Sequence, residues 1–201
     1  MSIHFPFDPS ITILVNKSHP LSRDDIPLDL IPVNVPFADD PADMRRYMRF
    51  PAAKALETLL RAAQESLHPL TAVSGYRSYD RQKEIYEANL KTRGKEHTLR
   101  YSAPPGASEH QTGLAMDISS PFIGSQLTEE FARTPEYHWL LGHACLFGFI
   151  FRYPPEKESM TGYAGEPWHR RYGGTELARW MEENHLTLEE YYEKLKKSCT
   201  I

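Results

Sequence analysis

Two histidines and one aspartate in this chain have the types and spacing of ligands in a hydrolytic metal site. His110 and Asp117 belong to the segment SEHQTGLAMD at 108–117, and His169 ends the segment EPWH at 166–169. Catalytic zinc sites commonly use three imidazole and carboxylate ligands and leave a fourth position for water. A single histidine is more often a surface or core residue, but the joint occurrence predicts that these three residues bind one Zn²⁺ per chain.

A glutamate and an arginine accompany these ligands. Glu166 lies three residues before His169, close enough to reach a water at the metal, and we predict that it is the general base. Arg77 follows a glycine turn in SGYRS at 74–78 and is predicted to stabilise the negative charge of the transition state, since a guanidinium keeps its proton. The alternative for Arg77 is a surface ion pair. Together these residues could hydrolyse an amide.

The elements that must position these residues predict an α+β fold. The segment LAMDIS at 114–119 alternates as a strand should, so Asp117 would lie on one face while Leu114, Met116 and Ile118 pack on the other. A strand at 70–74 would lead to Arg77. Further strands are predicted at 149–152 and 168–172. The sheet is expected to be mainly antiparallel, with helices packed on one side.

Helices are predicted from Pro51 onward, from Ser78 to about residue 91, and at about 127–133, 136–147, 175–184 and 187–198. Thr187 and Glu190 have the spacing of a capping box. The segments 91–107 and 154–165 are predicted as loops at the rim of the site. Residues 1–40 are rich in proline and are predicted to form an extended arm that wraps a single catalytic domain at 41–201.

The metal-site pattern resembles a known family. It reads Ser-x-His-x-x-Gly-x-Ala-x-Asp followed by Glu-x-Trp-His, and its residues are Ser108, His110, Gly113, Ala115, Asp117, Glu166, Trp168 and His169. It is similar to the zinc D-alanyl-D-alanine carboxypeptidases of the VanY and VanXY type and the related LdcB-like L,D-carboxypeptidases, peptidase family M15B. The likeness covers roughly residues 13–174. The resemblance implies a Hedgehog/DD-peptidase-like fold and assigns zinc binding, the base and the stabilising arginine to the residues named above.

The resemblance further implies an enzyme that removes a terminal D-alanine from peptidoglycan stem peptides or their precursors. Two enzymatic alternatives are an L,D-carboxypeptidase acting on tetrapeptide stems and an endopeptidase cutting within the stem. An alternative of another class is a non-catalytic, zinc-containing module that binds the cell wall. Glu166 argues against this last alternative, because a structural zinc site needs no carboxylate aimed at an open position.

Recognition of a free carboxylate and a D-configured methyl group requires polar donors and a small apolar pocket near the metal. Ser108, Gln82 and Tyr153 are the candidate recognition residues, and Trp168 is the candidate apolar wall. Ordinary roles remain open for them, since Ser108 and Gln82 could be a cap and a surface amide, and Tyr153 beside two prolines could be a packing platform.

Composition excludes some function classes. The 201 residues carry a formal net charge of −4, which does not favour nucleic-acid binding, and no segment has the length and apolarity of a membrane span. No obligate protein partner is indicated. The first residues, MSIHFPFDPS, lack the basic and apolar regions of a secretory signal. The chain as given is therefore expected to be cytoplasmic, or associated with the cell wall if a leader has been removed.

Overall fold

The chain forms an α+β fold, which the computed structural model describes for residues 8–39 and 44–198. The strands are β1 (Leu30–Pro32), β2 (Tyr47–Arg49), β3 (Thr71–Ser74), β4 (Ala115–Ser119), β5 (Phe149–Phe151) and β6 (His169–Tyr172). The helices are α1 (Pro9–Thr12), α2 (Phe50–Glu65), α3 (Tyr79–Arg93), α4 (Lys95–Tyr101), α5 (Pro135–His143), α6 (Glu158–Thr161), α7 (Thr175–Glu183) and α8 (Leu188–Ser198). Turns of 3₁₀ helix include Glu109–Thr112, Glu129–Arg133, Ala144–Phe147 and Pro155–Lys157.

An antiparallel sheet of four strands carries the predicted ligands. Its order is β3-β4-β6-β5, and β1 pairs with β2 in a separate two-stranded sheet. In the central pair, Asp117 lies directly opposite His169. Directly opposite residues of an antiparallel pair are neighbours on the same face of the sheet. Two residues that are far apart in the sequence therefore project side by side.

The other face of β4 packs on the main core. Leu114, Met116 and Ile118 are fully buried there, as the alternation predicts, together with Leu56 and Leu59 of α2. The apolar face of α2 matches the prediction from its helical spacing. Full burial of each such side chain contributes roughly 1.5–3 kcal/mol, so this cluster holds β4 in place. A second cluster, formed by residues of α7 and α8, packs around Ile150 of β5.

Side-chain caps define the ends of two predicted helices. The Ser78 hydroxyl accepts a hydrogen bond from the Arg81 amide at 3.2 Å, which starts α3 directly after Arg77. The amide of Thr187 donates to Glu190 at 2.7 Å, and the amide of Glu190 donates to the Thr187 hydroxyl at 3.2 Å. Both predicted caps are thus confirmed, and the second one fixes the start of α8.

Both predicted rim loops contain helix instead. The segment 91–107 contains α4 between Gly94, which adopts φ 81°, and the prolines at 104 and 105. Glycine and proline favoured a loop at the ends of this segment, but KEHTLRY between them consists mostly of good helix formers. The segment 154–165 contains a 3₁₀ turn and α6. The predicted loops are therefore wrong in local structure.

Two more boundaries differ from the prediction. The helix expected at 136–147 ends at His143 and continues as a 3₁₀ turn, and the helix expected at 127–133 is instead a 3₁₀ turn at Glu129–Arg133. The N-terminal segment is not wholly extended, because Asp8 caps the short helix α1. The division into an arm at 1–40 and a domain at 41–201 stays a prediction.

Across the described residues, none of the helices combines the length and apolarity that crossing a bilayer requires.

Candidate active site

His110 is oriented by a backbone carbonyl. It lies in the 3₁₀ turn before β4, and its Nδ1 donates to the carbonyl oxygen of Gly75 at 2.7 Å. This bond leaves Nε2 to face Asp117, whose Oδ2 is 3.3 Å away. Gly75 has no space for a side chain, because a Cβ atom would lie 2.6 Å from the carbonyl oxygen of Tyr47 and 2.8 Å from that of Arg45. Glycine therefore lets this backbone pack closely against residues 45 and 47, in the position from which the Gly75 carbonyl orients His110.

His169 is oriented from the other side by a buried carboxylate. Its Nε2 lies 3.1 Å from Oε2 of Glu109, and its Nδ1 lies 3.1 Å from Oδ1 of Asp117. The rings of His110 and His169 are nearly perpendicular, with centroids 5.0 Å apart. One nitrogen from each ring thus points at the same aspartate.

These three side chains fit a metal ion. His110, Asp117 and His169 are buried, and each offers one ligand atom within 4.8 Å of the others. Ligands about 2.0–2.2 Å from a tetrahedral zinc ion lie roughly 3.3–3.6 Å apart. The nitrogens of His110 and His169 lie 3.3 Å from Oδ2 and 3.1 Å from Oδ1 of Asp117, which is close to that spacing. Two nitrogens and one carboxylate oxygen suit zinc, with room for a further ligand. Within the described residues, this is the group that could hold a metal.

Charge is concentrated among the predicted ligands. Burial alone would raise the pKa of Asp117, but His110 and His169 hold it well below its usual range. Burial also disfavours a charged His169, yet its hydrogen bonds to Asp117 and Glu109 raise the pKa of this imidazole to about 9. The aspartate is therefore an anion that attracts a proton or a metal ion to the adjacent imidazole nitrogen.

Glu166 lies beside this cluster. Its Oε2 is 3.9 Å from Nδ1 of His169, and its side chain is 18% exposed. The Glu166 amide donates to the carbonyl oxygen of Tyr153, which ties the turn before β6 to the end of β5. Burial raises the pKa of Glu166 to about 7, while the charge of His169 opposes this rise. A carboxyl group with such a pKa can both accept and release a proton near neutral pH.

Arg77 lies at the same site, where it is partly buried and contacts side chains of the site rather than a surface carboxylate. Its Nη1 donates to Oε1 of Gln82 at 2.9 Å, and its Nη2 donates to the Ser74 hydroxyl at 3.2 Å. Burial lowers the pKa of Arg77, and the charges of Asp117 and Glu166 oppose that effect. The guanidinium keeps its proton in such a setting and remains a fixed positive charge facing two carboxylates.

A cavity of about 210 Å³ joins these groups. Its lining includes the predicted ligands, Glu166 and Arg77, and all four predicted substrate-binding residues: Ser108, Gln82, Tyr153 and Trp168. The Gln82 amide already has two partners, because its Nε2 also donates to the carbonyl oxygen of Ala103 at 2.6 Å. Gln82 therefore holds Arg77 and the segment after α4 in place. The ring of Tyr153 lies 4.9 Å from that of His169.

The two helical rim segments meet at Lys17. Its Nζ donates to the carbonyl oxygen of Leu99 in α4 at 2.6 Å and to that of Gly162 after α6. The same ammonium group lies 4.2 Å from the ring centroid of Tyr163, a residue of the cavity wall. Lys17 of the N-terminal segment thus ties the two rim segments together.

Sequence reasoning missed three charged residues behind the site. Glu109 is 1% exposed, and Arg152 and Arg171 are fully buried. Burial alone would raise the pKa of Glu109, but Arg152 and Arg171 hold it well below its usual range. The available signal was an acidic residue directly before a ligand, and arginines inside the predicted strands at 149–152 and 168–172. Buried charges of this kind need partners, so such arginines indicate a carboxylate nearby.

Comparisons with known proteins agree with this geometry. Residues 45–175 match the profile of the family VanY, D-alanyl-D-alanine carboxypeptidase. The chain is 47% identical over 188 residues to the putative carboxypeptidase YodJ of Bacillus subtilis, covering 94% of this chain and 69% of that protein. The solved LdcB LD-carboxypeptidase superposes with a TM-score of 0.88 at 46% identity, covering 92% of this chain and 87% of that one.

A third relative was solved with a metal. The D,D-pentapeptidase VanY from a VanB-type resistance cassette, in complex with Zn(II), matches with a TM-score of 0.73 at 32% identity. The match covers 91% of this chain and 99% of that chain. With a family match across more than half of its length and relatives above 30% identity, this chain belongs to the VanY family of D-alanyl-D-alanine carboxypeptidases.

Proposed function

We propose that this protein is a zinc carboxypeptidase that releases the terminal D-alanine from peptidoglycan stem peptides ending in D-alanyl-D-alanine. The observation that carries the proposal is the convergence of one nitrogen each from His110 and His169 on the Asp117 carboxylate, beside Glu166 and the partly buried guanidinium of Arg77. Family membership supplies the substrate class. The zinc complex of a relative and the nitrogen and oxygen donors support the choice of metal.

In this proposal, His110, Asp117 and His169 hold the metal. Bound zinc would polarise the scissile carbonyl and acidify a water molecule. Glu166 accepts the proton of the attacking water and passes it to the departing amine of D-alanine. The C–O bond forms first, which leaves negative charge on the former carbonyl oxygen. The C–N bond then breaks, and the amine leaves with the proton that Glu166 took up.

Arg77 acts on the developing negative charge. Gln82 and Ser74 each occupy one of its terminal nitrogens, which orients the planar group while its positive charge faces the cleft. A guanidinium fixed in this way needs little reorganisation when charge appears on the substrate. We propose that Ser108, Tyr153 and Trp168 line the pocket for the terminal residue, with Gln82 acting mainly by holding Arg77.

A second candidate is an L,D-carboxypeptidase that removes D-alanine from tetrapeptide stems. It is favoured by one observation, the closer match to the LdcB LD-carboxypeptidase, at 46% identity and a TM-score of 0.88 against 32% and 0.73 for the D,D-pentapeptidase. The chemistry at the metal is the same for both substrates. What differs is the residue that precedes the scissile bond, so a substrate test separates them.

The test is digestion of synthetic pentapeptide and tetrapeptide stems by the zinc-loaded protein, with product masses measured. Loss of one alanine from the pentapeptide alone supports the primary proposal, and loss from the tetrapeptide alone supports the second candidate. Products from an internal cut would indicate an endopeptidase. No turnover of any stem by a protein shown to contain zinc would contradict an enzymatic role and favour a wall-binding module.

A further inference from the structure

Behind the predicted zinc ligand His169 lies a network of buried charged residues, which extends to the N-terminal segment and to helix α8. Glu109 contacts Nε2 of His169 with one carboxylate oxygen. Its other oxygen accepts hydrogen bonds from Nε of Arg152 at 2.7 Å and from Nη1 of Arg171 at 3.2 Å. Both oxygens of this carboxylate are therefore occupied, and it faces no solvent.

Arg152 continues the network into α8. Its two terminal nitrogens donate to the two carboxylate oxygens of Glu189 at 2.8 and 2.6 Å. Glu189 also accepts a hydrogen bond from Nδ2 of Asn16 at 3.0 Å. All three nitrogens of the Arg152 guanidinium thus have carboxylate partners, and paired bonds of this type are strong and geometrically specific.

Arg171 ties the same carboxylate to the N-terminal segment. Its Nη2 donates to the carbonyl oxygens of Ile11 and Ile13 at 2.9 and 3.1 Å. The two arginines balance the charges of Glu109 and Glu189, so the buried set carries no net charge. Asn16, Glu189 and the Ile11–Ile13 carbonyls lie outside residues 45–175, the region that matches the family profile.

We propose that Glu109 is a positioning residue that selects the ring nitrogen His169 offers to the metal, and that Arg152 with Glu189 of α8 holds Glu109 in place. The proposal rests on the zinc site of the proposed function. An imidazole that binds a metal is neutral and carries one proton, and a carboxylate that only accepts hydrogen bonds takes that proton at Nε2. Nδ1 is then left with its lone pair facing Asp117 and the metal position.

His110 shows that this selection is needed. Its Nδ1 donates to the Gly75 carbonyl, so the nitrogen left for the metal is Nε2. The two histidines must therefore adopt opposite tautomers, and each is set by a different acceptor. In His110 the acceptor is backbone and is fixed by the fold. In His169 it is a side chain, which must itself be held by Arg152 and Arg171.

The first test measures zinc affinity by competition with a chromogenic chelator for the parent protein and for Glu109→Gln. The glutamine side chain keeps the shape of Glu109. Its NH₂ group, however, is a donor placed where His169, Arg152 and Arg171 already donate. Partners of metal-ligating histidines typically contribute about 10–100-fold in metal affinity, and a loss in this range is expected. Unchanged affinity in a folded Glu109→Gln variant would overturn the proposal.

The second test separates positioning from simple destabilisation. Nuclear magnetic resonance of isotope-labelled histidine in the zinc-loaded protein reports which nitrogen of each ring is protonated. We expect Nε2–H for His169 and Nδ1–H for His110, with the His169 signal shifted in Glu109→Gln and the His110 signal unchanged. The same tautomer in both rings of the parent protein would contradict the proposal even if Glu109→Gln failed to fold.

Two variants of α8 complete the design. Glu189→Gln removes one charge from the Arg152 pair and is expected to weaken zinc binding less than Glu109→Gln. Glu193→Gln, an exposed site on the same helix, is expected to bind zinc as the parent does. Equal zinc affinity in Glu189→Gln and Glu193→Gln would show that α8 does not help to hold Glu109 in place. A parent protein that binds no zinc would instead refute the metal assignment of the proposed function, which keeps the two failures distinct.

Discussion

His110 and His169 direct opposite ring nitrogens at one carboxylate. Nε2 of His110 lies 3.3 Å from Oδ2 of Asp117, and Nδ1 of His169 lies 3.1 Å from Oδ1. The aspartate sits on β4 directly opposite His169 on β6, while His110 arrives from the turn before β4. The sheet register and one turn are therefore sufficient to assemble the three predicted ligands.

Removal of the metal is expected to abolish hydrolysis and lower thermal stability. Zinc that binds only the folded chain stabilises it by about 2.7 kcal/mol at a free concentration 100 times its dissociation constant. Dialysis against a chelator, followed by calorimetry with and without added zinc, measures this shift. Asp117→Asn removes a predicted ligand, so its melting temperature should not respond to zinc. If the melting temperature of the parent protein also failed to respond to zinc, the predicted metal site would be contradicted.

Substitution of the predicted base should separate binding of the metal from turnover. Glu166→Gln is expected to retain one zinc per chain and to lose about 10²–10⁴-fold in kcat, the usual contribution of a general base. Metal content and stem-peptide kinetics check this expectation. Glu156→Gln, at an exposed position, is the matched control. Full turnover by Glu166→Gln would place the base elsewhere.

Loss of the guanidinium should affect the transition state more than substrate binding. Arg77→Lys keeps the charge but not the planar donor pair, and loss of one oxyanion donor typically costs about 10²–10³-fold in kcat. Steady-state kinetics on the same stems would show kcat falling with little change in KM. Arg81→Lys, an exposed position that pairs with Glu84, should leave kcat unchanged. A change confined to KM would instead make Arg77 a substrate anchor.

A methyl group at Gly75 should disturb the metal site through the backbone. The added Cβ in Gly75→Ala meets two carbonyl oxygens at 2.6 and 2.8 Å, so the strand end must move and carry its own carbonyl away from His110. Lower zinc affinity and a lower melting temperature are expected. Gly142→Ala is the control, because nothing lies within 4 Å of its Cβ and alanine stabilises a helix by roughly 0.5–1 kcal/mol. Equal zinc affinity in the two variants would refute this mechanism.

The lysine that joins the rim segments should influence substrate capture. Lys17→Met removes the donor to one carbonyl oxygen in each of the two rim segments. These bonds are near the surface, so each is expected to contribute about 0.5–1.5 kcal/mol, and KM should rise within about tenfold while kcat changes little. Lys83→Met, with an exposed ion pair at 3.9 Å, is the comparison. A KM that matches this comparison would show that the rim does not depend on Lys17.

The helices and strands that carry the site could be predicted because their signals are local. The alternation around Asp117, the apolar spacing of α2 and the caps at Ser78 and Thr187 act over a few residues, and the structure confirms each of them. The rim was predicted wrongly, because Gly94 before α4 and the prolines after it mark the limits of this helix but do not prevent it from forming. Composition alone does not distinguish a short helix from a loop between such residues.

The sequence by itself determined which residues could do the chemistry, since their types and spacing within 108–117 and 166–169 are local properties. Only the tertiary structure decided which ring nitrogen of each histidine faces Asp117, and which group contacts the opposite nitrogen. Glu109 and Arg152 are 43 residues apart, and Arg152 and Glu189 are 37 apart, so no short pattern links them. Their pairing follows from burial: charges removed from water must find partners in three dimensions, whatever their distance along the chain.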